Sequence, residues 1–171
     1  MKVFDEIKQL TGNGFEFFSL FGYVIAALNI SISLVLLTNL AFSLFMFLFF
    51  IFIIFILNFI FSSITSLYID MQADTSLKAR DIFYFYGISS YLSFLLIPAS
   101  YFYIYKGRGI YLFFMVGFFV WLSRILFVKE KASLGFINSF IAVFFPHIII
   151  SVFVFLLIVS VSVCGFVYLY G

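Results

Sequence analysis

Long apolar runs separated by short polar breaks dominate this chain. They cover about 17–37, 40–64, 82–105, 110–128 and 136–165; the first four are close to the roughly 20 residues with which an α-helix crosses a bilayer, and the last apolar run, 136–170, is too long for one straight span. The pattern predicts an all-α, polytopic integral membrane protein, with five transmembrane helices in one domain spanning 17–171. Residues 1–16 precede it as an N-terminal interfacial segment. There Val3, Phe4, Ile7 and Leu10 share one helical face, as in a short helix lying on a membrane surface, and Gly12-Asn13-Gly14 ends it. The run at 17–37 is long enough to span and a second follows at once, so it is read as a span, not as a cleaved signal.

The breaks give the topology. Thr38-Asn39 is so short that spans one and two should form a tight hairpin. The connector 66–81, SLYIDMQADTSLKARD, is the one stretch where charge is dense, and Asp74 and Lys78 sit four apart, as on a short surface helix. Lys106-Gly-Arg108-Gly and KEKAS (129–133) are the remaining turns. With the N-terminus cytoplasmic, Lys2, Lys8, Lys78, Arg80, Arg124, Lys129 and Lys131 fall inside, and only Lys106 and Arg108 fall outside. This favours a cytoplasmic N-terminus and a cytoplasmic connector.

Polar residues within the spans refine the picture. Ser19, Gly22, Ala26, Asn29 and Ser33 recur at spacings of 3, 4, 3 and 4, a face on which another helix can approach closely and Asn29 can find a hydrogen bond. Ser89, Ser93 and Ser100 form a similar face. Asn58 and Ser62, followed by Ser63, Thr65 and Ser66, read as helix packing and then the approach to water. Tyr84, Tyr86, Tyr101, Tyr103 and Tyr105 cluster at the two ends of the third span as interfacial belts. Pro98 should kink that span and free the carbonyl of Phe94, and Pro146 should kink the final apolar run, with a membrane exit near Gly165.

Composition narrows the class. The chain is 66% hydrophobic and 9% charged, against about one quarter charged in a soluble domain, too little polar surface to cover a core in water. Its net charge of +2 is scattered and does not suggest nucleic acid. Lone Cys164 excludes a disulfide within the chain. Thirty phenylalanines fit an AT-rich, bacterial genome, and hence a bacterial cytoplasmic (inner) membrane.

Three places could carry chemistry. Asp70 and Asp74, four apart at a membrane surface, could hold a divalent cation, as in phosphatidyltransferases acting on cytidine-diphosphate alcohols. The glycine after the second aspartate is missing, the step to Arg80 is too long, and no aspartate follows Asp81, so a solvated loop is the better expectation. His147, the single histidine, lies behind Pro146 inside the last span and is a candidate by its depth. No acidic residue in any span could complete a proton relay with it. Arg124, one turn from the end of the fourth span, is expected to snorkel to phosphate headgroups. No phosphate loop, nucleophile–base pair or metal-ligand pattern appears, so no enzyme activity, metal or cofactor is expected.

The second half, from "FYFYGISSYLSFLLIP" to "FFVWLSRILFVKEKASLGFINSFIAVFFP", resembles the Yip family of Ypt/Rab-interacting five-span membrane proteins. The resemblance covers roughly 75–165 and rests on Gly87, Trp121, Lys131-Ala132 and Pro146, although Pro98 lies further past Gly87 than the family's spacing. It implies a non-enzymatic scaffold or adaptor that binds protein partners in or at the bilayer, surrounded by membrane lipids, with a homo-oligomer as one form of such an assembly. The alternative is a transporter or channel subunit, in which the proline-broken third and fifth spans, with His147, line a pathway.

Overall fold

The computed structural model describes residues 6, 9, 12–38, 41–72, 77–107 and 110–170, of which 13 and 162–170 by backbone alone. Among these residues there is no strand. The helices are α1 (Phe15–Thr38), α2 (Leu44–Gln72), α3 (Ala79–Ser89), α4 (Leu96–Lys106), α5 (Ile110–Lys131) and α6 (Phe136–Tyr170). A 3-10 stretch, Ser90–Leu95, joins α3 to α4, so together they make one apolar span, Ala79–Lys106. Five spans are thus long and apolar enough to cross a membrane, and the chain is an all-α, multi-pass membrane protein. Most of the N-terminal interfacial segment lies outside the described residues. Its end is the expected break, a 3-10 turn at Gly12–Gly14 with Gly12 at a φ of 49°.

The span made of α3, the 3-10 stretch and α4 packs against α1, α2 and α5, and α6 closes the bundle against α2 and α5. This central span is the least apolar of the five and half of its most apolar stretch is buried, whereas α2 is the most apolar and only 6% of its most apolar stretch is buried. Lipid is as apolar as a leucine, so hydrophobic side chains gain little by turning inward. Small and polar ones gain close packing and hydrogen bonds, and they sort to the centre.

The face expected on α1 is buried: Ser19, Gly22, Ala26, Asn29 and Ser33 are all enclosed. At its core Gly22 meets Gly87 of α3. A Cβ on Gly22 would lie 2.0 Å from the Gly87 carbonyl oxygen, and one on Gly87 would lie 2.1 Å from the Ser19 oxygen. Only two glycines let these backbones touch. Phenol hydroxyls tie the seam, with Tyr23 donating to the Phe83 carbonyl and Tyr91 donating to the Phe18 carbonyl at 2.8 Å.

Three expectations are corrected. Pro98 does not kink a continuous helix: it falls in the first turn of α4, where a missing N–H is tolerated, and the irregularity sits upstream as the 3-10 stretch. Pro146 lies inside α6, whose helical assignment continues past it. The described ends of the connector differ from a loop with a short surface helix at Lys78: α2 runs on to Gln72, Lys78 is extended with a ψ of 136°, and Ser66 donates to the Leu77 carbonyl at 2.7 Å. Thr65 and Ser66 are buried in the bundle instead of approaching water. Residues 73–76, with Asp74, and the turn residues 108–109 lie outside the described residues.

Candidate functional site

Arg124 does not snorkel outward. Its side chain turns into the bundle, where only 7% of the residue is exposed. Nε donates to Ser89 Oγ at 3.0 Å, Nη2 donates to Asn58 Oδ1 at 2.9 Å, and the guanidinium lies 4.2 Å from the centre of the Tyr86 ring. Among the described residues no carboxylate pairs with it. The cation is held by two neutral acceptors and an aromatic face, the kind of partner that stabilises a desolvated guanidinium without a counter-charge. The physical reason for the inward turn is local. Arg124 is preceded by Trp121 and followed by Ile125 and Phe127–Val128 on the buried side of α5, so pointing at the headgroups would require rotating these out of the core.

Each partner is fixed in turn. Asn58 Nδ2 donates to the Ile54 carbonyl at 2.8 Å, which leaves Oδ1 aimed at Arg124. Ser89 Oγ donates to the Tyr86 carbonyl at 2.8 Å and so presents its lone pairs to Nε. Tyr86 is fully buried and not part of an interfacial belt, unlike the exposed Tyr101, Tyr103 and Tyr105.

The chain of bonds continues from Tyr86 to α6. Thr65 Oγ1 donates to the Ala142 carbonyl at 3.2 Å and is 3.2 Å from the Tyr86 hydroxyl. Since threonine has one hydroxyl hydrogen, the Tyr86 O–H is the donor in the second bond. Ala142 is the residue four before Pro146, so its carbonyl is the one that loses its helical N–H partner. Thr65 replaces that donor, which explains how α6 passes Pro146 without breaking. Arg124, Tyr86, Thr65 and Ala142 each lie six or seven residues from the end of their helix. They form one polar layer about 10 Å in.

His147 lies one turn beyond Val143 in α6. Its Nδ1 is 3.0 Å from the Val143 carbonyl, an acceptor, so Nδ1 carries the proton. Nε2 then faces the Trp121 Nε1–H at 3.4 Å as an acceptor. The ring stacks on Phe61 at 4.2 Å. These contacts suit the neutral imidazole, and an acidic partner has no place among them. The ring edge, with Trp121 and Ser93, lines a groove of about 590 Å³ whose other walls are apolar. Pro98 borders a separate apolar groove of about 250 Å³ between α4 and α5.

The remaining candidates stand apart. Asn29 Nδ2 donates to Ser93 Oγ at 3.1 Å and joins α1 to the central span. Asp70 is exposed on the last turn of α2, and among the described residues no cluster of three potential metal ligands occurs. Tyr23, Thr65 and Tyr86 were not singled out from sequence as bundle centres. The usable signal was Tyr23, a phenol that interrupts the run 17–37 away from its ends. No family model, curated protein or solved structure matches this chain.

Proposed function

We propose that this protein is a non-enzymatic, Yip-like membrane scaffold that binds protein partners within or at the bilayer. Its N-terminus and 66–81 connector lie on the cytoplasmic side, in a bacterial inner membrane. The observation that carries this reading is the far half of α6. From Ser151 to Val161 every residue is exposed, on all faces of the helix, so another membrane helix can pack there without rearranging the bundle. The side-chain bonds Asn29–Ser93, Thr65–Tyr86, Arg124–Ser89 and Arg124–Asn58 join different helices and serve cohesion.

The transport alternative would have the carbonyl freed by Pro146 coordinate a ligand. That carbonyl accepts from Thr65, which favours the scaffold. The test is purification from native membrane in mild detergent with mass spectrometry of what accompanies the chain, combined with a photo-crosslinking residue at position 155. A stoichiometric membrane protein captured from position 155 is expected. A chain that purifies alone and crosslinks only to lipid refutes the reading.

A further inference from the structure

A third groove lies between α1, α2 and α3 at the end of the bundle where α1 and α3 begin. It has a volume of about 370 Å³, with walls that include Leu20, Phe55, Phe59 and Phe83, and Arg80 and Tyr84 also line it. Phe59 is 61% exposed, so the groove opens sideways to the surrounding lipid. Arg80 and Glu16 are the second residues of α3 and α1, at the boundary where headgroups sit.

We infer that this groove holds one acyl chain of a zwitterionic phospholipid of the ethanolamine type, with the phosphate on Arg80 and the ammonium on Glu16. The two side chains stand side by side but do not satisfy each other. Their Nη2–Oε1 separation is 3.9 Å, well beyond the roughly 2.7–2.9 Å of a charge-assisted hydrogen bond, and they are 71% and 53% exposed. Glu16 also accepts from the Tyr84 hydroxyl, but a carboxylate has further lone pairs, so both side chains keep bonding capacity for a ligand carrying the opposite pair of charges. Lys78 and Asp81 flank Arg80 and offset each other, so the surroundings do not favour a net anion. A purely anionic headgroup would gain Arg80 and be opposed by Glu16. A zwitterion gains both, while its chain covers aromatic surface running inward along α2.

The test uses the full chain, delipidated in detergent and offered equal amounts of phosphatidylethanolamine and phosphatidylglycerol with identical acyl chains, with bound lipid read by native mass spectrometry. Retention of the ethanolamine lipid about tenfold over the glycerol lipid is expected, as for one added contact to a charged group. Glu16→Gln should erase that preference without lowering phosphatidylglycerol binding. Arg80→Gln should weaken both lipids, and Leu20→Trp, which narrows the groove, should do the same. Both charged side chains lie outside the core, so their variants fold. Equal retention of the two lipids by the unaltered protein, a preference for phosphatidylglycerol, or a preference that survives Glu16→Gln would overturn the assignment.

Discussion

Replacing Gly22 with alanine adds a single methyl group, and the geometry makes that methyl intolerable. It would sit 2.0 Å from the Gly87 carbonyl oxygen, 2.8 Å from the carbonyl carbon and 2.9 Å from Cε2 of Tyr91. Ordinary contact begins near 3.4 Å, so the shortfall against the oxygen is about 1.4 Å. The Tyr91 ring can swing aside, but the backbone of α3 cannot. The two helices must separate, and the Tyr23–Phe83 and Tyr91–Phe18 bonds that bracket the seam lengthen with them. Overpacking of this kind costs about 3 kcal/mol, the upper part of its range, or about 150-fold in the folding equilibrium. Gly117 on α5 is the control, because a Cβ there meets nothing within 4 Å. Gly117→Ala should be neutral or stabilise by up to about 1 kcal/mol through helix propensity. Unfolding by sodium dodecyl sulfate in mixed micelles reports both, since Trp121 is the single tryptophan and gives the fluorescence signal. A Gly22→Ala protein within about 0.5 kcal/mol of the unaltered chain, the spread of surface substitutions, would refute the close-contact account.

The same assay reaches two further contacts. Thr65→Val should cost about 1 kcal/mol in the unaltered chain and clearly less in a Pro146→Ala background, where residue 146 regains the N–H that Ala142 lacks; equal costs in both backgrounds would mean that Thr65 does not replace the missing donor. His147→Phe keeps the stack on Phe61 but removes the acceptor of the Trp121 N–H, so a loss of about 1 kcal/mol or less with a shift in Trp121 emission is expected, and an unchanged emission spectrum would argue against that contact.

The sequence disclosed the class and the five spans because apolar length is set by bilayer thickness and needs no tertiary information. It also disclosed one packing face. Ser19, Gly22, Ala26 and Asn29 repeat with the helix period, so their burial follows from spacing alone. What spacing could not supply was the partner. Gly87 stood out early in its span, but that it fits against Gly22 depends on how two distant helices cross. Arg124 misled for a related reason. Its distance from the helix end is compatible with reaching headgroups, and only the rotation of α5, fixed by buried Ile125, Phe127 and Val128, turns it inward. Thr65 and Tyr86 were assigned to the water boundary because polar residues near the ends of spans usually belong there. Here the extension of α2 to Gln72 places Thr65 inside, and Tyr86 follows because Arg124 covers its ring. At Pro146 a sequence shows the donor a proline removes and not the donor a neighbour restores, here Thr65 on the Ala142 carbonyl.

Arg124 is a strut between α2, α3 and α5, and a double-mutant cycle with Asn58 tests that role directly. Arg124→Met removes the cation and leaves a side chain of similar length, and Asn58→Leu removes the acceptor bonded at 2.9 Å. Measured in mixed micelles, the pair should show a coupling of about 1–2 kcal/mol, with the double variant more stable than the two single losses add up to, because neither change then strands a buried polar partner. Additivity within about 0.3–0.5 kcal/mol would show that the two side chains do not interact, and would contradict the inward-facing arginine.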